Sequence, residues 1–207
     1  IASLGSSIVG GSGNTINNTT SQYSIIGGGQ SNSVTTSTRA FIGGGVLNTI
    51  TNGLHSLVVG GSGNTIAAGA TYSSIVGGQV NRTSSPRSLV GGGSGNTIGS
   101  ASANATIVAG QSNSITTSTY SVVVGGRKNS LTSASQSFIG GGSGNTMSSG
   151  PYSVIVGGKN NRSSANYSFI GGGRKNTGTT TSTSSIIVGG DSNYHNNASY
   201  SFIGGGA

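Results

Sequence analysis

Ser56-Leu57-Val58-Val59-Gly60-Gly61-Ser62-Gly63-Asn64 is the stretch that decides the fold of this chain. A β-branched residue sits between apolar neighbours, followed by a glycine pair, two small or polar residues and an asparagine. The unit recurs along the whole 207-residue chain, anchored at Asn14, Asn32, Asn48, Asn64, Asn81, Asn96, Asn113, Asn129, Asn145, Asn161, Asn176 and Asn193. Successive anchors are 18, 16, 16, 17, 15, 17, 16, 16, 16, 15 and 17 residues apart. Eight residues before each anchor stands Ser, or Ala at Ala40 and Ala105, and a thirteenth copy begins at Ser201. The unit reads Ser-x-Ile/Val-Val/Gly-Gly-Gly-x-x-Asn with a variable tail of about eight residues. All length variation falls in the tail, so the tail is expected to be a loop.

The third position of the unit is always Ile or Val: Ile8, Ile26, Ile42, Val58, Ile75, Val90, Ile107, Val123, Ile139, Ile155, Ile170, Ile187 and Ile203. β-Branched residues favour strands, and a column of one residue type predicts a stacked core. Two residues past the asparagine runs a second apolar column of Ile16, Val34, Ile50, Ile66, Ile98, Ile115, Leu131 and Met147, which fails at Thr83, Ser163, Gly178 and His195. The residues flanking the core Ile/Val lie on the opposite strand face. They compensate in size: Phe41, Phe138, Phe169 and Phe202 are followed two residues later by Gly43, Gly140, Gly171 and Gly204. Both strand faces are therefore expected to be buried, at least partly.

Composition narrows the function classes. The chain has 41 glycines, no cysteine, two histidines and one acidic residue, Asp191, for a net charge of +8. Charged residues are 5% of the chain, against roughly 25% in an ordinary globular domain. Paired-carboxylate chemistry needs two acids, and calcium needs several carboxylate oxygens. Neither His55 nor His195 lies in a catalytic motif. No enzyme activity, cofactor or metal is expected. No stretch approaches the ~20 consecutive apolar residues of a membrane helix. The missing disulfides leave the compartment open.

Two or three consecutive glycines per unit argue against a helix, at about 1 kcal/mol each. One unit suits one coil of an all-β parallel β-solenoid or β-roll: strand, glycine turn, second strand, loop. About thirteen coils of about sixteen residues, stacked at ~4.8 Å, predict a rod of about 60 Å. Residues 1–207 then form a single repeat domain without an internal boundary, a fragment of a longer fibre chain. An isolated narrow coil leaves its second apolar face uncovered, and three chains around an axis would cover it. The glycines are expected to allow close backbone approach or a positive φ. The asparagines are expected to serve the corner in the left-handed region and to stack as a ladder.

Tyr152-Ser153-Val154-Ile155-Val156-Gly157-Gly158 and Tyr167-Ser168-Phe169-Ile170-Gly171-Gly172-Gly173, each with Asn eight past the serine, resemble the head repeats of trimeric autotransporter adhesins. Similar repeats occur in fibre proteins of tailed phages and large DNA viruses. The resemblance covers the full chain and implies a left-handed parallel β-roll with three chains about one axis. The copies here depart from the family's Ser-x-Ala-Ile-Gly pattern by placing Phe, Leu, Ile or Val before the core residue.

Two surface columns are candidate sites. Arg127, Lys128, Lys159, Arg174 and Lys175 occupy the two positions between the glycines and the asparagine. Stacking turns these into a cationic stripe facing no acidic partner, suited to an anionic glycan or another anion by charge alone. The residue before the serine is Tyr23, Tyr72, Tyr120, Tyr152, Tyr167 or Tyr200 in six copies, a candidate glycan-stacking column. The expected partners are the chain itself, as a homotrimer, and an anionic glycan or cell-surface receptor. Neither sequence-specific nucleic acid nor membrane insertion is expected.

The expected function is a structural and adhesive segment of an extracellular, cell-surface or virion-surface fibre. A self-polymerising filament or sheath subunit is the alternative. A monomeric ligand- or ice-binding solenoid ranks below both, because the threonine runs at Thr35–Thr38, Thr116–Thr119 and Thr179–Thr181 do not recur in neighbouring coils.

Overall fold

The computed structural model describes residues 4–17 and 20–206; the rest of the predicted 1–207 domain lies outside the described residues. The chain is a parallel β-solenoid without a helix among the described residues. Each coil gives one short strand to a 13-stranded sheet and one to a 12-stranded sheet, and neighbours in each sheet are successive coils. Twelve turns are complete and a thirteenth opens with Phe202–Ile203. Strands are two or three residues long, those of the 13-stranded sheet running at once into the glycine corner and those of the 12-stranded sheet into the tail. A third line of parallel pairing runs through the corner from Ser12↔Gln30 to Arg174↔Asp191.

Pairing is in register by repeat position, so like stacks on like: Ile26 on Ile42 in the first sheet, Val34 on Ile50 in the second. The two Ile/Val columns face each other across one core, and Ile26, Ile42, Ile50, Ile66, Ile98 and Ile115 are fully buried. A third interior column is missing from the sequence reading. Ser21, Ser37, Gly53, Ala70, Ser85, Ser102, Ser118, Ala134, Gly150, Ala165 and Ser182 are buried inside the variable tail. Each stands three residues before the motif Ser/Ala and is small. The tail is thus a third wall, and its length varies outside this fixed position.

The corners correct one expectation. No anchor asparagine is left-handed; the preceding residue is, as at Ser31, Leu47, Val80 and Lys128 (φ +55° to +58°). The residue before the motif serine is left-handed too, from Tyr23 through Tyr200. The third left-handed corner is the second glycine of the pair, such as Gly93 (φ +84°), where a Cβ would fall inside contact of the Gly110 carbonyl oxygen in the next coil. The first glycine differs. Gly92 has no positive φ and a Cβ there would meet nothing.

Asparagine forms a ladder, but through the backbone of the next coil where the sequence predicts stacked amides. Asn96 accepts from the Asn113 N–H at 3.0 Å through Oδ1, and its Nδ2 donates to Gly92 O at 2.9 Å and Gly110 O at 2.8 Å. The pattern runs from Asn14 to Asn193. Motif serines make a second ladder: Ser121 Oγ donates to Ala134 O at 2.9 Å and accepts from Ser137 N–H at 3.3 Å.

The failures of the second apolar column at Thr83 and Ser163 have a local cause. Both open 15-residue coils. One residue fewer in the tail draws the motif serine onto this position, giving Thr83 Oγ1···Ser88 Oγ and Ser163 Oγ···Ser168 Oγ contacts of 2.5 Å. A hydroxyl there completes a buried hydrogen bond that Ile could not.

The expected partial burial of the outer strand face is only begun by the chain itself. Within one chain the outer face of the 13-stranded sheet remains accessible, with Phe41 at 39% and Val59 at 47%. The size pairing has an intrachain origin. The Phe138 ring lies over its own Gly140, 3.2 Å from where a Cβ would stand.

Asn96→Ala strands the buried Asn113 N–H and removes two donors from the part-buried Gly92 and Gly110 carbonyls, so it is expected to cost about 2 kcal/mol or more. Gly93→Ala should likewise lower the urea midpoint, through steric conflict and a strained φ. Gly92→Ala should leave monomer stability within about 0.5 kcal/mol. Equal effects of the two glycine variants in urea unfolding would contradict this corner geometry.

Candidate functional site

Stacking creates four distinct outer surfaces from residues the sequence scatters. The corner carries the cationic residues, but on two parallel lines. Arg127, Lys159 and Arg174 share the paired line, interrupted by Ser143, which ends on Asp191. Lys128 and Lys175 occupy the left-handed position beside it. The expectation of no acidic partner is corrected at Arg174, whose guanidinium pairs with Asp191, one coil on at the same repeat position. Hydrogen bonds from Arg174 and Ser192 hold the Asp191 carboxyl below the usual carboxylate range. Both partners are well exposed, so the pair adds little stability. Arg127, Lys128, Lys159 and Lys175 take part in no ion pair among the described residues.

The tyrosine column lies along the second left-handed corner, exposed at Tyr23, Tyr72, Tyr120, Tyr152, Tyr167 and Tyr200. Tyr152 and Tyr167 are in adjacent coils, and their rings stack at 5.0 Å with planes 4° apart; His55 stacks on Tyr72 at 4.8 Å. Ring faces within these pairs are turned to each other along the rod. Elsewhere Arg39, Arg87, Asn104, Gln136 and Ser184 interrupt the column.

On the outside of the 13-stranded sheet runs a continuous apolar stripe. Ile25, Phe41, Leu89, Phe138, Phe169 and Ile186 are exposed at one position, and Val59, Val76, Val108, Val124, Val156 and Val188 two residues later. Beside it lies the column of unobstructed glycines that includes Gly28, Gly44, Gly60, Gly92 and Gly141.

The outside of the 12-stranded sheet carries hydroxyls. Thr15, Ser33, Thr49 and Thr65 stand in register, as do Thr97, Ser114, Ser130 and Thr146. Thr35, Thr51, Thr116 and Thr132 add a second line two residues on. This array went unread in the sequence because it straddles the second core column, one residue to either side, and takes only the first residue of the runs at Thr35 and Thr116. Arg82, Arg162 and Tyr194 interrupt the first line. At its C-terminal end a groove of about 330 Å³ opens between Arg162, Ser164, Thr177, Gly178, Thr179, Thr180 and Tyr194.

No group of three or more His, Cys, Asp or Glu side chains able to hold a metal exists among the described residues. Among the described residues no helix is long and apolar enough to cross a membrane. No protein-family model matches the chain, and no curated protein matches it as a relative.

His195 is the one titratable side chain buried in the interior among the described residues. Its Nδ1 is 2.6 Å from Ser201 Oγ, while Nε2 is buried without a partner. Burial holds the imidazole below its ordinary value of 6.5. The folded chain therefore binds the proton more weakly than the unfolded chain. The stability this contributes is full above the unfolded value and is lost as pH falls through the folded one. Amide protection factors in the last two coils, exchange rates divided into their intrinsic pH-dependent values, are expected to fall below about pH 6.5. His195→Ile, which continues the apolar column, should remove that pH dependence; an unchanged acid response in the variant would exclude His195 as its source.

Proposed function

We propose that the chain is a structural and adhesive segment of an extracellular or virion-surface fibre, built as a homotrimer. The observation that carries this reading is the apolar stripe along the outside of the 13-stranded sheet, where Phe138 and Phe169 are each 36% accessible and Val156 is 47%. A contiguous apolar surface of this length on a soluble chain marks an interaction face. In a rod whose coils repeat, a second and third copy present the same stripe in the same spacing.

The glycine column beside the stripe supports the same reading. Gly28, Gly44, Gly60, Gly92 and Gly141 need no positive φ, and a Cβ at any of them would meet nothing within the chain. The equivalent position holds Ala109 in one coil, so the backbone there accepts a side chain. The fold of one chain does not require glycine at this column, whereas close approach of a neighbouring backbone would. Repeats of this kind set length and stiffness, and the faces turned from the axis remain for attachment.

Light scattering on this 20.0 kDa chain should give about three times the monomer mass. Gly125→Leu with Gly141→Leu, placed in space that is open in one chain, should yield a folded monomer. Phe138→Asp with Phe169→Asp should do the same. A monomeric wild-type chain would overturn the trimer. A mass that climbs with concentration would favour the self-polymerising filament.

The hydroxyl lines on the opposite sheet favour a second reading, a ligand- or ice-binding solenoid. Inhibition of ice recrystallisation that is lost in Thr49→Val with Thr51→Val would establish it, and no inhibition would remove it.

A further inference from the structure

We infer that the groove at the C-terminal end of the 12-stranded sheet is a binding site for an acidic sugar, a glycan ring bearing a carboxylate or a sulfate. The site follows from a mismatch of coil lengths. The coil that starts at Asn161 has 15 residues and the next, from Asn176, has 17. The two run together as far as Ser164, whose N–H donates to Gly178 O at 2.8 Å, and Ser182 closes back on Thr179 O at 3.0 Å. The extra residues Thr180 and Thr181 are thereby carried outward, and a ledge forms above the shorter coil.

Three positions in register line the floor: Arg162 on Thr177 on Tyr194. Adjacent strands are ~4.8 Å apart, so Arg162 and Tyr194 stand about 10 Å from each other along the rod. That span suits one pyranose. The guanidinium takes the anionic group by paired N–H donors. The tyrosine ring packs on the C–H face of the sugar, with its hydroxyl towards water. Ser164, Thr177, Thr179 and Thr180 surround the space between with hydroxyls for sugar hydroxyls. The volume of about 330 Å³ is at the small end of the roughly 300–1,000 Å³ range of small-molecule sites, which limits the occupant to a short piece of glycan.

Charge selects the anion. The acid of the whole sequence, Asp191, is engaged by Arg174, so Arg162 has no internal counter-charge. Lys159 and Lys175 stand at the corners that lead into these two coils and add to the positive field. The groove faces away from the apolar stripe, because the two sheets share the core between them. It remains accessible whether or not the stripe is covered, and goes beyond the fibre reading without depending on the trimer.

The chain supplies an internal control. Eighty residues earlier, Arg82 occupies the same strand position in the other 15-residue coil, followed by Ser84 and Thr97 as Arg162 is by Ser164 and Thr177. There Ser114 stands where the later coil has Tyr194, and Gly99 where it has Thr179. The same 15-to-17-residue step stands beside Arg82, with Ser100 and Ala101 in place of Thr180 and Thr181, so Arg82 presents the same charge beside a similar ledge but without the aromatic wall and the threonine hydroxyls.

The test is titration calorimetry of the intact chain with N-acetylneuraminic acid, a glucuronate-containing disaccharide, a sulfated disaccharide and neutral maltose. At least one acidic sugar should bind and maltose should not, and which acidic sugar binds identifies the anionic group. Arg162→Ala and Tyr194→Ala should each weaken binding by about tenfold or more, the size of a lost charge-assisted hydrogen bond. Arg82→Ala should leave it unchanged. All three substitutions are on the exposed sheet face; circular dichroism confirms folding, and light scattering on the same samples reads the oligomer separately. Absence of binding by every acidic sugar would overturn the site. Equal weakening by Arg82→Ala and Arg162→Ala would also overturn it, reducing the effect to general charge attraction.

Discussion

Every feature of this molecule depends on one constraint: successive coils pair in parallel and in register, so each residue lies beside its own repeat equivalent. The asparagine ladder enforces that register. Asn Oδ1 takes the backbone N–H of the next asparagine, and Nδ2 ties the glycine corner of its own coil to that of the next. A slip of one residue would remove these bonds and turn the Ile/Val columns outward. The serine ladder repeats the device at a second wall, and lapses where Ala40 and Ala105 replace the hydroxyl.

The same constraint explains the composition. A charged residue used at one repeat position in every coil would stack like charges about 4.8 Å apart along the rod, which is unfavourable. A chain of this kind does best with uncharged polar side chains on its walls, and charged residues are 5% of it. Where cations align, Ser143 separates Arg127 from Lys159, and the one directly stacked pair, Lys159 on Arg174, is answered by Asp191 in the next coil. The hydroxyl-rich sheet and the apolar sheet are two outcomes of one rule, since any preference at a repeat position becomes a line on the surface.

Departures from the sixteen-residue rhythm mark places where the solenoid differs from itself. The 15-residue coils exchange a core aliphatic for Thr83 or Ser163, which bond the serine that the shorter tail brings within reach. The 17-residue coil that follows Asn176 overhangs its shorter neighbour and makes the groove. The polar interior at its end, with Gly178 and His195 in register, leaves the last coils with fewer apolar contacts than the middle of the rod.

The amino-acid sequence by itself determined the solenoid, the coil length and the principal core column, because these are properties of period, and a fixed period is visible without coordinates. It also exposed the cationic residues, the tyrosines and the asparagine ladder as columns. The tertiary structure decided what lies opposite each column. It made the tail a third wall lined by small residues, placed the left-handed turn before the asparagine, and showed Phe138 covering its own glycine and leaving the apolar face open. It also joined Arg162, Thr177 and Tyr194 across three coils of unequal length. Those relations depend on how each loop closes and on which side of the wall a residue emerges, and a repeat count carries neither.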